Sequence, residues 1–168
     1  SAPVLLAKES YENYVKTGQR LPLPKGLPDW LLTRRAGAFV TLHRFGQLRG
    51  CIGTISPTRD TVAEEILHNA VSAAAQDPRY SPVRQEELAD ITCSVDILET
   101  PEDIDSEEQL DPQVYGVIVQ KGMRRGLLLP MLEGVDTVRM QVDIAKKKAG
   151  IRPGEQVSLQ RFKVTRYT

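Results

Sequence analysis

Ala38-Phe39-Val40-Thr41-Leu42-His43-Arg44-Phe45-Gly46-Gln47-Leu48-Arg49-Gly50-Cys51-Ile52-Gly53-Thr54 is the stretch that decides how this chain folds. Residues 39–43 read as a strand, Phe45-Gly46 is a turn signal, and residues 47–52 return. The spacing predicts a hairpin with His43 opposite Leu48, Leu42 opposite Arg49 and Val40 opposite Cys51. Val40, Leu42, Arg49 and Cys51 are then expected on one face, in a register that a bulge at Gly46 would shift. Hairpins require antiparallel pairing.

Working outward, residues 60–76 carry the clearest helical stripe, through Val62, Ile66, Ala70 and Ala73 with Val71 and Ala74 beside it. Thr58 or Asp60 is the expected cap, and Glu64 and Glu65 suit the positive end. Asp77-Pro78-Arg79-Tyr80 closes it, because Pro78 cannot continue the ladder. Residues 3–17 form a first helix that stops at Gly18. Residues 19–32 form a packed connection that meets the core through Leu27, Trp30 and Leu31. A short helix is expected at 83–89, a strand at 91–98 and a surface loop at 99–111. A second hairpin runs from Tyr115 to Leu129 across Lys121-Gly122. A last helix starts at Asp136 and ends with a cap at Gly150 and Ile151, and a final strand covers 155–167. No internal repeat is evident. The order predicts an α+β fold, a largely antiparallel sheet with flanking helices, and 168 residues most simply make one domain.

Composition narrows the function classes. Forty per cent apolar and 26% charged residues are globular values. Lysine plus arginine and aspartate plus glutamate balance at 22 each, which argues against a protein built to hold nucleic acid. No apolar run approaches a membrane span, so no membrane role is expected. Two cysteines with no secretory pattern lead us to expect a cytoplasmic protein with unpaired thiols. There is no Walker loop, dinucleotide fingerprint, Cys-x-x-Cys or His-Glu-x-x-His. No metal site is expected, iron–sulfur chemistry within the chain lacks the thiols it needs, and no cofactor is indicated.

Cys51 is the candidate catalytic residue, as nucleophile, redox thiol or ligand. Gly50 and Gly53 leave it on thinly covered chain, and Arg49, on the expected same face, favours the thiolate. The competing reading is a small buried hydrophobe beside glycine. Cys93, between Ile91 and Val95, is expected to be inert core. For substrate binding the candidates are Arg49, the Gly50 and Gly53 backbone as an anion contact, and Thr54 at the end of the motif. Asn69 joins them as a half-buried amide that needs partners, with Asp77 and Arg79 flanking Pro78, and Arg125 of the basic 121–125 hairpin. Asp77 and Arg79 read equally as a helix-terminating clamp, and the basic hairpin as an edge blunted by charge. Glu64 lies one turn from His68 and would orient it toward Cys51; a routine exposed helix face is the competing reading.

Taken together, these segments resemble the AMMECR family, whose prokaryotic members are called protein A of the Amme–Memo–radical SAM system. The resemblance rests on Ala38–Leu42, Leu48–Thr54, Ala63–Ile66, Asn69-Ala70, Asp77–Tyr80, Glu86–Leu88, Leu110–Pro112, Gly116–Val119 and Arg124–Pro130, which arrive in family order. Residues 131–136 are short where relatives carry an insert, Arg84 replaces a helix-capping hydroxyl, and His68 lies outside the family pattern. The resemblance implies an α+β fold with a larger and a smaller lobe and a cleft near the cysteine motif. It also implies company: a Memo-like protein and a radical SAM protein. With Cys51 it suggests a cysteine-dependent enzyme or accessory factor acting on a small anionic substrate. The alternative is a non-catalytic module that binds a protein partner or nucleic acid.

Overall fold

The computed structural model describes residues 1–168, and the chain packs into two units: residues 1–98 with 165–168, and residues 99–164. In the first, α1 (Ala2–Thr17) and α2 (Asp29–Thr33) precede β1 (Ala38–Arg44), β2 (Gln47–Gly53) and α3 (Val62–Ala75). A 3₁₀ turn at Gln85–Asp90 leads into β3 (Ile91–Leu98). In the second, β4 (Glu102–Ile104), β5 (Gly116–Lys121) and β6 (Arg124–Leu128) precede α4 (Val138–Lys148) and β7 (Ser158–Phe162). The last strand, β8 (Val164–Tyr167), lies beside β3. The sheets are four-stranded, in the orders β2-β1-β3-β8 and β4-β7-β5-β6. β1 pairs antiparallel with β2 and β3, and β5 with β6 and β7. The α+β class expected from the hairpins is the class observed.

Local chemistry explains the boundaries. Gly18 adopts φ 73° and returns its N–H to the Tyr14 carbonyl, which only a residue at ease with positive φ does without strain. At the start of α3 the cap is Thr61, whose hydroxyl accepts the Glu64 N–H at 3.2 Å. Thr58 is diverted: its hydroxyl and backbone N–H both turn to Glu65. Likewise α4 is capped by Thr137 and not Asp136. The acidic stretch 99–111 is more than a loop, because β4 pairs with β7 and buries Ile104. The final stretch is two strands, since the chain changes sheet between Phe162 and Val164.

Each unit has its own core. The first gathers Leu6, Tyr11 and Leu31 with Val40, Leu42, Ile66, Ala70, Val95 and Ile97 under α1 and α3; the second gathers Val117, Val119, Leu128, Val142 and Ala145 under α4. Both use the same packing device. A Cβ on Gly50 of β2 would overlap the Ala73 carbonyl oxygen of α3, and a Cβ on Gly126 of β6 would overlap the Ala145 carbonyl oxygen of α4. Each glycine follows an arginine and lets a helix backbone lie directly on a strand.

Candidate functional site around Cys51

The hairpin register departs from the expected one at a single place. His43 faces Leu48 as predicted, but Leu42 faces Gly50 and Thr41 faces Cys51, with an irregularity between Leu42 and His43. Arg49 is therefore the extra residue of a bulge. The bulge lies opposite Leu42/His43 and not at Gly46, and it reverses the face of everything after it. Val40 and Leu42 stay in the core under α3. Cys51 stands on the outer face with Thr41, and Phe39, Ser94 and Asp96 follow by pairing. Its sulfur is 3.2 Å from the Thr41 Oγ1, and the residue is half-buried.

β2 is an edge strand, yet its backbone at Cys51 is paired. The Cys51 N–H donates to Asp77 Oδ2 at 3.0 Å, and Arg79 Nη2 donates to the Cys51 carbonyl at 3.3 Å. Asp77 also accepts the Arg79 Nε at 3.0 Å, its Nη2 at 2.8 Å and its backbone N–H at 3.0 Å. The Arg79 hydrogen bonds, helped by the Cys51 N–H, hold the buried Asp77 carboxyl down to about 2. The pair thus clamps the turn after α3 onto the strand edge, with the Arg79 side chain 54% exposed.

Arg49 is not the cation beside the thiol. Its Nε and Nη2 donate to Glu87 at 2.9 and 3.0 Å, and its other contacts are the Ser81 and Pro82 carbonyls. The bulge turns the guanidinium toward the 81–87 segment. The Glu87 carboxyl is lowered to about 2, first by Arg49, then by the Arg84 N–H and the Arg49 and Arg44 charges. Because that carboxylate also accepts the Arg84 N–H at 3.0 Å, the 3₁₀ turn starts without a capping hydroxyl.

The other candidates separate. Gly50 and Gly53 do not open space around the sulfur: the first lies under Ala73, and the Phe39 ring fills the place of a Gly53 Cβ. Thr54 and Asn69 belong to an internal network. Asn69 Nδ2 donates to the Ala38 carbonyl at 2.8 Å and to Thr54 Oγ1 at 3.3 Å, and that hydroxyl donates to Glu65 at 2.8 Å. Glu64 does not orient His68 toward Cys51. The imidazole is held by Arg20 and Arg59, and α3 packs on the inner face of the sheet whereas Cys51 is on the outer one. Arg125 is exposed on β6, in the second unit. Cys93 is inner-face core opposite Leu42, and burial pushes its thiol up to about 12.

Three polar residues on or near the outer face of the sheet, Thr41, Asp96 and Arg166, were not legible as such in the sequence. Thr41 reaches Cys51 only because of the bulge. Asp96, buried at the register position of Phe39, pairs with Arg166 through two bonds of 2.7 and 2.9 Å. The Arg166 guanidinium is stabilised first by Asp96, with a smaller share from Cys51; for Arg79 the order is Asp77, then Tyr80, then Cys51. Only the period-two pattern of β3, which puts Asp96 on the outer face, hinted at a polar role. No group of three or more His, Cys, Asp or Glu is placed to hold a metal ion, and no helix is long and apolar enough to cross a membrane.

Comparison with known proteins agrees with this architecture. A protein of Thermotoga maritima is 55% identical over 158 residues, covering 93% of this chain and 91% of the relative. Protein CA_C1420 of Clostridium acetobutylicum is 48% identical over 165 residues; the match takes in 98% of this chain but only 35% of that longer protein. The crystal structure of the uncharacterised protein PH0010 from Pyrococcus horikoshii superposes with a TM-score of 0.90 at 32% identity, covering 98% of this chain and 88% of that one. The AMMECR1 family model matches residues 4–168, and the chain belongs to the AMMECR1 family.

Proposed function

We propose that the chain is a cysteine-dependent catalyst acting on a small anionic substrate, with Cys51 as the nucleophile. The observation that carries this reading is the setting of the sulfur: half-buried, in a hydrogen bond with Thr41 that either group can donate, and within electrostatic reach of Arg79 and Arg166. Arg79 donates to the Cys51 carbonyl at 3.3 Å, which keeps a guanidinium beside the thiol-bearing strand. Arg79, half-exposed, is also the cation best able to meet an incoming anion. Arg49, Gly50, Gly53, Thr54, Asn69 and Asp77 then support the site without touching substrate. Memo-like and radical SAM proteins are the partners that family membership suggests. The Clostridium relative, in which the matched segment is 35% of the length, supports a working unit with a further module.

Iodoacetamide labelling tests this reading. Cys51 is expected to alkylate at least tenfold faster than Cys93 near neutral pH, since a thiol lifted to about 12 holds almost no thiolate there. Equal rates would remove the basis for catalysis.

One observation favours the alternative of a binding module for a protein partner: most of the motif's polar groups are satisfied within the unit, so the motif has a structural reason to exist. Under that reading Cys51→Ser keeps partner binding and cellular function. Loss of function with an intact fold rejects it.

A further inference from the structure

His68, which the Cys51 reading does not use, sits where two guanidiniums converge. Arg20 Nη1 lies 3.3 Å from its Nδ1; Arg59 Nη2 lies 3.0 Å from Nδ1 and 3.3 Å from Nε2. Neither arginine forms an ion pair with a carboxylate. Elsewhere in this unit the arginines that bind side chains find one: Arg49 has Glu87, Arg79 has Asp77 and Arg166 has Asp96. Two like charges meeting on one ring oppose each other, and burial together with these charges holds the imidazole below its ordinary range. Beside them opens a cavity of about 180 Å³, with Leu21 and Leu67 in its wall. Glu64 also lines it but pairs with neither arginine, and the buried Glu65, which also acts on the ring, is held by Thr54, Thr58 and the Arg59 backbone N–H and not by either guanidinium.

We propose that this cavity binds the phosphate group of a small phosphate monoester. Guanidinium groups grip phosphate oxygens with paired, charge-assisted bonds. A dianion between Arg20 and Arg59 would relieve the repulsion between the two guanidiniums, and the imidazole would add a third donor. Leu21 and Leu67 offer apolar surface to the organic part of the ester. The cavity is too small for more than a compact molecule, and it lies on the α3 side of the sheet, away from Cys51. The assignment therefore stands apart from the thiol chemistry.

The test is NMR of the histidine ring signals in the full chain, titrated with glycerol 3-phosphate and with inorganic phosphate at matched ionic strength. The expected result is a saturable shift at His68 for both, with His43 unmoved. Arg59→Gln and Arg20→Gln should each weaken binding roughly tenfold, the scale of one lost charge-assisted bond. Glu64→Gln should strengthen it, because it removes the carboxylate in the cavity wall. These three side chains lie at the surface or cavity wall, so the fold is expected to survive, as the remaining spectrum will report. No saturable shift with the ester, or the same affinity in both arginine variants, overturns the proposal. So does binding of inorganic phosphate without the ester.

Discussion

Asp77 accepts the backbone N–H of Cys51 at 3.0 Å, so a side chain does at the open edge of β2 what a neighbouring strand would otherwise do. Arg79 completes the imitation by donating to the Cys51 carbonyl. An exposed edge invites pairing with other chains. Here it is closed by the residues that end α3, and the conformation around the thiol depends on that closure.

Asp77→Asn keeps the shape of the clamp and removes its charge. The Arg79 bonds weaken and the turn loosens from β2. A loss of about 2 kcal/mol is expected, the order for a charged hydrogen-bonded pair with one partner neutralised. Urea unfolding of the two proteins measures it, and exchange of the Cys51 amide should accelerate in the variant.

Acid should act through the same groups. The Asp77 and Glu87 carboxyls lie at about 2 in the fold, below their ordinary values of 3.8 and 4.5. Depressed carboxyl values mean that the unfolded chain binds protons first as pH falls. The stability they contribute is complete above about pH 4.5 and drains away toward about pH 2. Denaturation midpoints across that window should fall steeply, and Glu87→Gln should flatten the dependence. Because Glu87→Gln also strips Arg49 of its partner, it should cost about 3 kcal/mol at neutral pH.

Gly50→Ala tests the contact between strand and helix. The added methyl meets a backbone carbonyl, which cannot rotate aside as a side chain would. Displacement of α3 and a loss of about 1–3 kcal/mol are expected. Gly126→Ala should do the same to α4. By contrast, Gly154→Ala meets nothing within 4 Å and should be close to neutral. Thermal melting of the three variants ranks them.

His68 should titrate below the ordinary histidine value, because burial comes first and the Arg59 and Arg20 charges add to it. A histidine depressed in the fold contributes stability that is complete above its unfolded value and is lost as pH falls from there through the lower folded value. Arg59→Gln removes one opposing charge and should move the ring back up, which NMR titration reads directly.

The sequence by itself determined the class and most of the elements, though not β4 or the split of the last strand into β7 and β8. The 38–54 stretch announces a hairpin, the 62–74 stripe announces a buried helix, and Gly18 and Gly150 announce helix ends; all are encoded within one or two turns of chain. The apolar alternation of 91–97 also placed Cys93 against the core. What the sequence did not determine was the direction of side chains beyond an irregularity. One extra residue at Arg49 moved that guanidinium to Glu87 and put Cys51 beside Thr41. Period-two alternation carries no warning of a bulge, because the signal that creates it lies in distant partners: Glu87, Ser81, and the Ala73 carbonyl pressed on Gly50. In the same way Glu65, read as an ordinary acidic residue of a helix start, is fully buried and gathers Thr54, Thr58 and the Arg59 N–H around itself. Local periodicity decides what a segment becomes; which polar groups meet is decided by chain returning from far along the sequence, and only the tertiary structure holds that information.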